Sequence, residues 1–95
     1  MLYTLSRSPY ACDWKAMLRT AKSGDDLLLL SDGVIAGLNG SPILRTLSAS
    51  LLTLYALKND IAARGLFAHF SPNIAIISYT DFVKLTEIQL KQMAW

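Results

Sequence analysis

Gly24-Asp25-Asp26-Leu27-Leu28-Leu29-Leu30-Ser31-Asp32-Gly33 is the stretch that decides the fold. Its four consecutive leucines show no alternation of apolar and polar residues, so both faces of the segment must be covered. A strand apolar on both faces is what a central parallel strand looks like when helices cover the sheet. Ser31-Asp32-Gly33 breaks the run, and Asp25-Asp26 leads into it. No apolar run approaches the roughly 18 residues that a membrane-spanning helix needs.

Working outward, Met1-Leu-Tyr-Thr-Leu5 reads as a first strand, and Ser8-Pro9 carries a helix-start signature. From Tyr10 to Ala21, residues Ala11, Trp14, Leu18 and Ala21 recur at spacings of three and four, with Met17 alongside. That periodicity predicts a helix with one apolar face, ended at Lys22-Ser23-Gly24. Beyond the leucine run, Val34 to Leu38 reads as a short helical or irregular piece, and Ser41-Pro42 opens a helix through Leu47. Leu51 to Leu57 is the third strand, and Ile61 to Arg64 a short helix stopped by Gly65. Ile74 to Ile77 is a fourth strand, apolar throughout. A last helix starts at Tyr79 or Thr80, with Phe82, Leu85 and Ile88 or Gln89 toward the core. The tail Gln92 to Trp95 adds a short edge strand or packs on a neighbour. Strand and helix alternate four times, which predicts an α/β fold. The expectation is a three-layer α/β/α arrangement, a mostly parallel four- to five-stranded sheet and right-handed crossovers.

The chain has 95 residues, of which 53% are hydrophobic and 17% charged, with a mean hydropathy of +0.35. We read residues 1–95 as one domain, since domains mostly run from about 50 to 200 residues. A domain this small buries only roughly two-thirds of the surface its unfolded chain exposes. So much apolar material exceeds what a small monomer hides easily, and it predicts a partner surface. A net charge of +2, with lysines and arginines scattered from Arg7 to Lys91, gives no phosphate-tracking stripe. The N-terminal segment has no basic region leading into an apolar one, so no signal peptide is read and a cytoplasmic location is expected.

The chemical candidates are few. Cys12 is the one cysteine, so neither an internal disulfide nor a cysteine-based metal site is available. The expected opening turn of the first helix would favour its thiolate, with Lys15 adding positive charge and Asp13 opposing. The plainer reading is an incidental half-buried thiol. His69 is the one histidine, flanked by Phe67 and Phe70, and no ligand spacing such as HxxxH surrounds it. Asp32-Gly33 falls at the C-terminal end of a central strand, where open α/β sheets place ligand crevices, although Asp-Gly is also a plain turn pair. Phosphate-cradling glycine loops and a GxSxG elbow are missing from the sequence. No cofactor or metal is expected. Phe67, His69, Phe70, Met93 and Trp95 are the interface candidates, because aromatics and methionine are enriched at protein interfaces.

Five blocks in order resemble the DsrH/TusB family: Met1 to Pro9, Gly24 to Val34, Leu54 to Leu66, Tyr79 to Thr86 and Gln92 to Trp95. The resemblance covers essentially the whole chain and implies the DsrE/DsrF/DsrH-like fold. It further implies a non-catalytic subunit of a TusBCD-type sulfur-relay heterohexamer. The partners would be two paralogous small α/β chains, TusC-like and TusD-like, with a TusE-like acceptor downstream. The product would be 5-methylaminomethyl-2-thiouridine at the tRNA wobble position, with tRNA met only indirectly and no membrane involved. In that family the reactive cysteine lies on the TusD-like chain. Some relatives carry a cysteine on the first helix, but its spacing falls near Met17, one turn beyond Cys12, so no catalytic role is carried over. The alternative is a thiol-dependent sulfurtransferase acting through Cys12. Whether the isolated chain forms a homodimer stays open.

Overall fold

A computed structural model describes residues 1–89 and 91–95. Five strands, β1 (Leu2–Leu5), β2 (Asp26–Leu29), β3 (Thr53–Leu57), β4 (Ala75–Ile77) and β5 (Gln92–Ala94), form one sheet in the order β4-β3-β2-β1-β5. Every pairing is parallel. The helices are α1 (Trp14–Thr20), α2 (Pro42–Ser48), α3 (Lys58–Ala63) and α4 (Tyr79–Ile88). Two 3-10 helices span Ser31–Gly37 and Phe67–His69. The leucine run is the central strand β2, buried at all four of its positions, and the tail is an edge strand.

The register sorts the sheet into two faces. Tyr3, Leu27 and Leu54 lie side by side on one, as do Leu5, Leu29 and Ala56. These six join one core cluster with Met17 of α1, Val34 and Ala36 of the first 3-10 helix, Ile43 and Leu47 of α2, and Ile61 of α3. The steps from β1 through β4 all run in one direction, so right-handed crossovers stack these helices on the same side. The step from β4 to β5 reverses direction and carries α4 over the opposite face. There Leu2 and Leu28 are fully buried, beside the buried carboxylate of Asp26.

The bounds of the first helix are corrected. The first helix starts at Trp14, not Tyr10: Ser8 accepts the Tyr10 N–H through Oγ at 3.3 Å and the Ala11 N–H through its carbonyl at 2.8 Å, closing a turn. The cap is Asp13, whose Oδ1 accepts the Ala16 N–H at 3.1 Å. The helix also ends at Thr20, leaving Gly24 in the turn before β2. The fourth strand, β4, lies at an edge of the sheet, with Ala75 and Ile76 exposed. Of the two residues expected toward the core at the end of the last helix, Ile88 points outward and is 75% exposed, while Gln89 turns inward. Its Nε2 donates to Asp26 Oδ2 at 2.8 Å and to the Gly24 carbonyl at 3.2 Å. Elsewhere the capping chemistry holds as read: Ser41 Oγ accepts from Ile43 at 3.2 Å, with Pro42 opening α2.

Candidate functional site

The C-terminal ends of the strands are where open α/β sheets place ligands. Following β2, Ser31 adopts a left-handed backbone with φ of 49°. Its N–H donates to Asp60 Oδ2 at 2.8 Å, so a carboxylate from α3 fixes that unfavourable conformation. Asp32 is the next residue. Its Oδ1 accepts from Arg64 Nη2 at 3.0 Å and Nε at 3.2 Å, and Arg64 Nη1 lies 4.0 Å from Asp60 Oδ1. The Asp32 carboxylate is therefore engaged in tying the 3-10 helix to the end of α3. The sequence carried a signal for half of this network, the Asp60–Arg64 spacing of four along a helix. Gly33 follows because a Cβ there would stand 1.9 Å from the carbonyl oxygen of Leu5. Asp32-Gly33 thus begins a 3-10 helix pressed against the end of β1.

Cys12 lies in the β1–α1 loop, one residue before the cap, and not in the first helical turn. It is half-buried and packs against the core cluster. The N–H of Ala16, in the first turn of α1, donates to the Asp13 carboxylate. Lys15 directs its ammonium over the Trp14 ring, 5.8 Å from the centroid.

His69 is exposed at the end of the second 3-10 helix. Its backbone carbonyl accepts the Asn39 N–H at 2.7 Å. Phe67 is 44% exposed, whereas Phe70 is only 7% exposed and belongs to the core. The Phe70 ring comes within 2.3 Å of where a Cβ on Gly37 would stand, so its neighbour inside the chain is that glycine. Among the described residues no group of three or more His, Cys, Asp or Glu is placed to hold a metal ion. Met93 is exposed on β5. Trp95 is half-buried against the core, with its indole Nε1 buried and without a hydrogen-bond partner.

The structure therefore does not bring Cys12, His69 and Asp32 together through any contact. What it does leave exposed are apolar side chains of β4 and α4: Ile76, Tyr79 and Val83 are 42%, 62% and 40% exposed. The Tyr79 and Phe82 rings meet edge to face, 5.8 Å between centroids. Ile76 and Val83 went unread because an unalternating strand says it is apolar, not that it sits at an edge. Two open clefts, of about 590 and 460 Å³, lie at the N-terminal ends of the strands. The larger is lined in part by Tyr3, Arg19, Lys22 and Asp25.

Two groups have altered acidity. Burial on the α4 side, and then the charge of Asp26, push the Tyr55 phenol above its ordinary value. For Asp25, burial acts upward. It is outweighed by the Lys22 backbone N–H at 2.9 Å, the Met1 ammonium at 3.0 Å and the Lys22 charge, so the carboxyl ends below its usual range. No helix among the described residues is long and apolar enough to cross a membrane.

Residues 7–92 match the family model described as DsrH like protein. The chain is similar to Protein TusB of Sodalis glossinidius (strain morsitans), 77% identical over 95 residues with all of both chains covered. It is likewise similar to Protein TusB of Serratia proteamaculans (strain 568), 57% identical over 95 residues, again with all of both chains covered. Among solved structures, the ychN protein from E. coli superposes with a TM-score of 0.77 at 19% identity, covering 99% of this chain and 97% of that one. At that identity the likeness concerns the fold alone. Protein Tm0979 from Thermotoga maritima, solved by NMR, gives a TM-score of 0.65 at 26% identity, covering 96% and 97%. The expected parallel α/β sandwich and the family match agree, and the chain belongs to the DsrH family.

Proposed function

We propose that this chain is a non-catalytic subunit of a TusBCD-type sulfur-relay complex that serves 2-thiolation of the wobble uridine in tRNA. The observation that carries the reading is the full-length likeness to TusB proteins, 77% identical in the first case. Two features of the chain support it. Sulfur relay requires a thiolate that attacks the outer sulfur of a donor persulfide, breaking the S–S bond and releasing the donor thiolate. Cys12, the one cysteine of the chain, is half-buried against the core cluster, which limits a donor's access to it. The exposed apolar side chains of Ile76, Tyr79 and Val83 suit a subunit completed by neighbours.

In this reading residues 1–95 act as one cytoplasmic domain, bound to TusC-like and TusD-like paralogues, and sulfur leaves through a TusE-like acceptor. Phe67, His69, Met93 and Trp95 remain proposed contact residues. The test is capture of the chain from its native cell extract, with partners identified by mass and the complex sized. Two small α/β partners in a hexamer are expected; recovery alone, as a monomer or homodimer, would sink the proposal. Cys12→Ser is expected to leave tRNA thiolation unchanged. Loss of thiolation with assembly intact would transfer the role to the alternative, a sulfurtransferase acting through Cys12.

A further inference from the structure

We infer that α4 and β5 form a strap that opens as one unit while the rest of the fold stays closed, with Gln89 as its clasp. The inference concerns the packing of the chain itself and does not rest on the sulfur-relay reading.

The strap leaves the sheet at one edge, β4, and lands at the other, beyond β1. With strands about 4.8 Å apart, it must cross about 19 Å. The 10-residue helix that does so contributes no buried residue, and all three residues of β5 are exposed. By contrast α1, α2 and α3 insert Met17, Leu47 and Ile61, each essentially without exposure. Local opening costs least where few apolar contacts are buried.

What fastens the strap along its length is mainly polar, with the half-buried Trp95 packed against the core cluster at its end. Gln89 Nε2 donates to Asp26 Oδ2 at 2.8 Å and to the Gly24 carbonyl at 3.2 Å, just where α4 ends. Backbone bonds at β1 add to this: the Leu2 N–H donates to the Lys91 carbonyl, and the Trp95 N–H to the Thr4 carbonyl, both at 2.8 Å. Beneath the strap lie Leu2 and Leu28, fully buried yet outside the main core cluster. Opening therefore bares a leucine strip and the outer hydrogen-bonding edge of β1 together, the pair of features that an added strand uses. The hinge falls at Ser78, between β4 and the first residue of α4.

Native-state hydrogen exchange on the full chain tests this. The amides of α4 and β5 are expected to exchange as a group, at least about tenfold faster than those of β2 and β3. Gln89→Ala is expected to accelerate the strap amides a further tenfold or so, the scale of a hydrogen bond to a charged group, and to leave those of β2 and β3 unchanged. Ile61→Val, in the main core, is expected to accelerate β2 and β3 instead. Strap amides protected as well as those of β2 and β3 in the unaltered chain would overturn the inference, even if the Gln89 variant fails to fold. Equal acceleration of both sets by Gln89→Ala would overturn it too.

Discussion

The two faces of the sheet are built from the same strands and are covered very differently. One carries Tyr3, Leu5, Leu27, Leu29, Leu54 and Ala56 beneath α1, α2, α3 and a 3-10 helix. The other carries Leu2, Leu28 and Leu57, shares its space with Asp26 and Tyr55, and has α4 alone above it. Period-two alternation of side chains means that every residue of β2 belongs to one regime or the other. A hydrophobic share of 53% does not mean a deep core here. It means one dense face, one thinly covered face, and apolar side chains left over along the β4–α4 side.

The sharpest way to break this contrast is to truncate neighbouring leucines of β2. Leu29→Ala, on the dense face, is expected to cost about 3–5 kcal/mol in a urea unfolding experiment, because four elements fix the cavity it leaves. Leu28→Ala removes an equally buried side chain but should cost only about 2–3 kcal/mol, since a single helix can settle into the space. Equal costs would show that α4 packs as firmly as the other helices. Overpacking asks the same question in reverse. Gly37→Ala drives a methyl into the Phe70 ring and is expected to cost about 1–3 kcal/mol by thermal melting.

Smaller effects probe the outside. Tyr79→Ser and Val83→Ser should change the stability of the isolated chain by no more than about 0.5 kcal/mol. The same two changes are expected to weaken partner capture, which separates a surface used for assembly from one used for folding. The smallest effect concerns Asp25, whose carboxyl lies below its ordinary value of 3.8. A lowered pKa contributes stability above that value and loses it as pH falls through the folded-state value. Asp25→Asn should therefore lower the melting temperature slightly at pH 7, and the difference should vanish as the solution is acidified.

Much of this fold was legible in the sequence. Leu27 to Leu30 identified the buried centre of a parallel sheet, Ser41-Pro42 located a helix start, and an edge strand was one of two readings of the tail. These succeed because each depends on local chemistry: an uncovered leucine run, a cap, a short apolar end. The failures are competitions between local signals or matters of order along the sheet. Ser8-Pro9 and Asp13 both offered a helix start, and Asp13 won because Ser8 spent its acceptors on a turn. Ile74 to Ile77 was read as a strand apolar throughout, but its edge position follows from strand order, which periodicity does not encode. Phe70 looked like a companion of Phe67, yet three positions along the chain it turns into the core against Gly37. Of the candidate site, the residue types were legible and their separation was not. Gln89 was one of two residues read as facing the core. Its three-way polar role joins positions more than 60 residues apart and leaves no periodic trace.

The strand order also dictates a sequence of events in time. Within the sheet, Leu2 stands opposite Asp26, 24 residues away, and opposite Gln92, 90 residues away. Closing the longer loop costs about 1 kcal/mol more chain entropy, and distant pairings form late in refolding. The sheet is therefore expected to zip through β1, β2, β3 and β4 first and to acquire β5 last. Its two tryptophans, Trp14 in α1 and Trp95 beside β5, would report opposite ends of that process. In a stopped-flow refolding trace, a variant retaining only Trp95 should lag behind one retaining only Trp14.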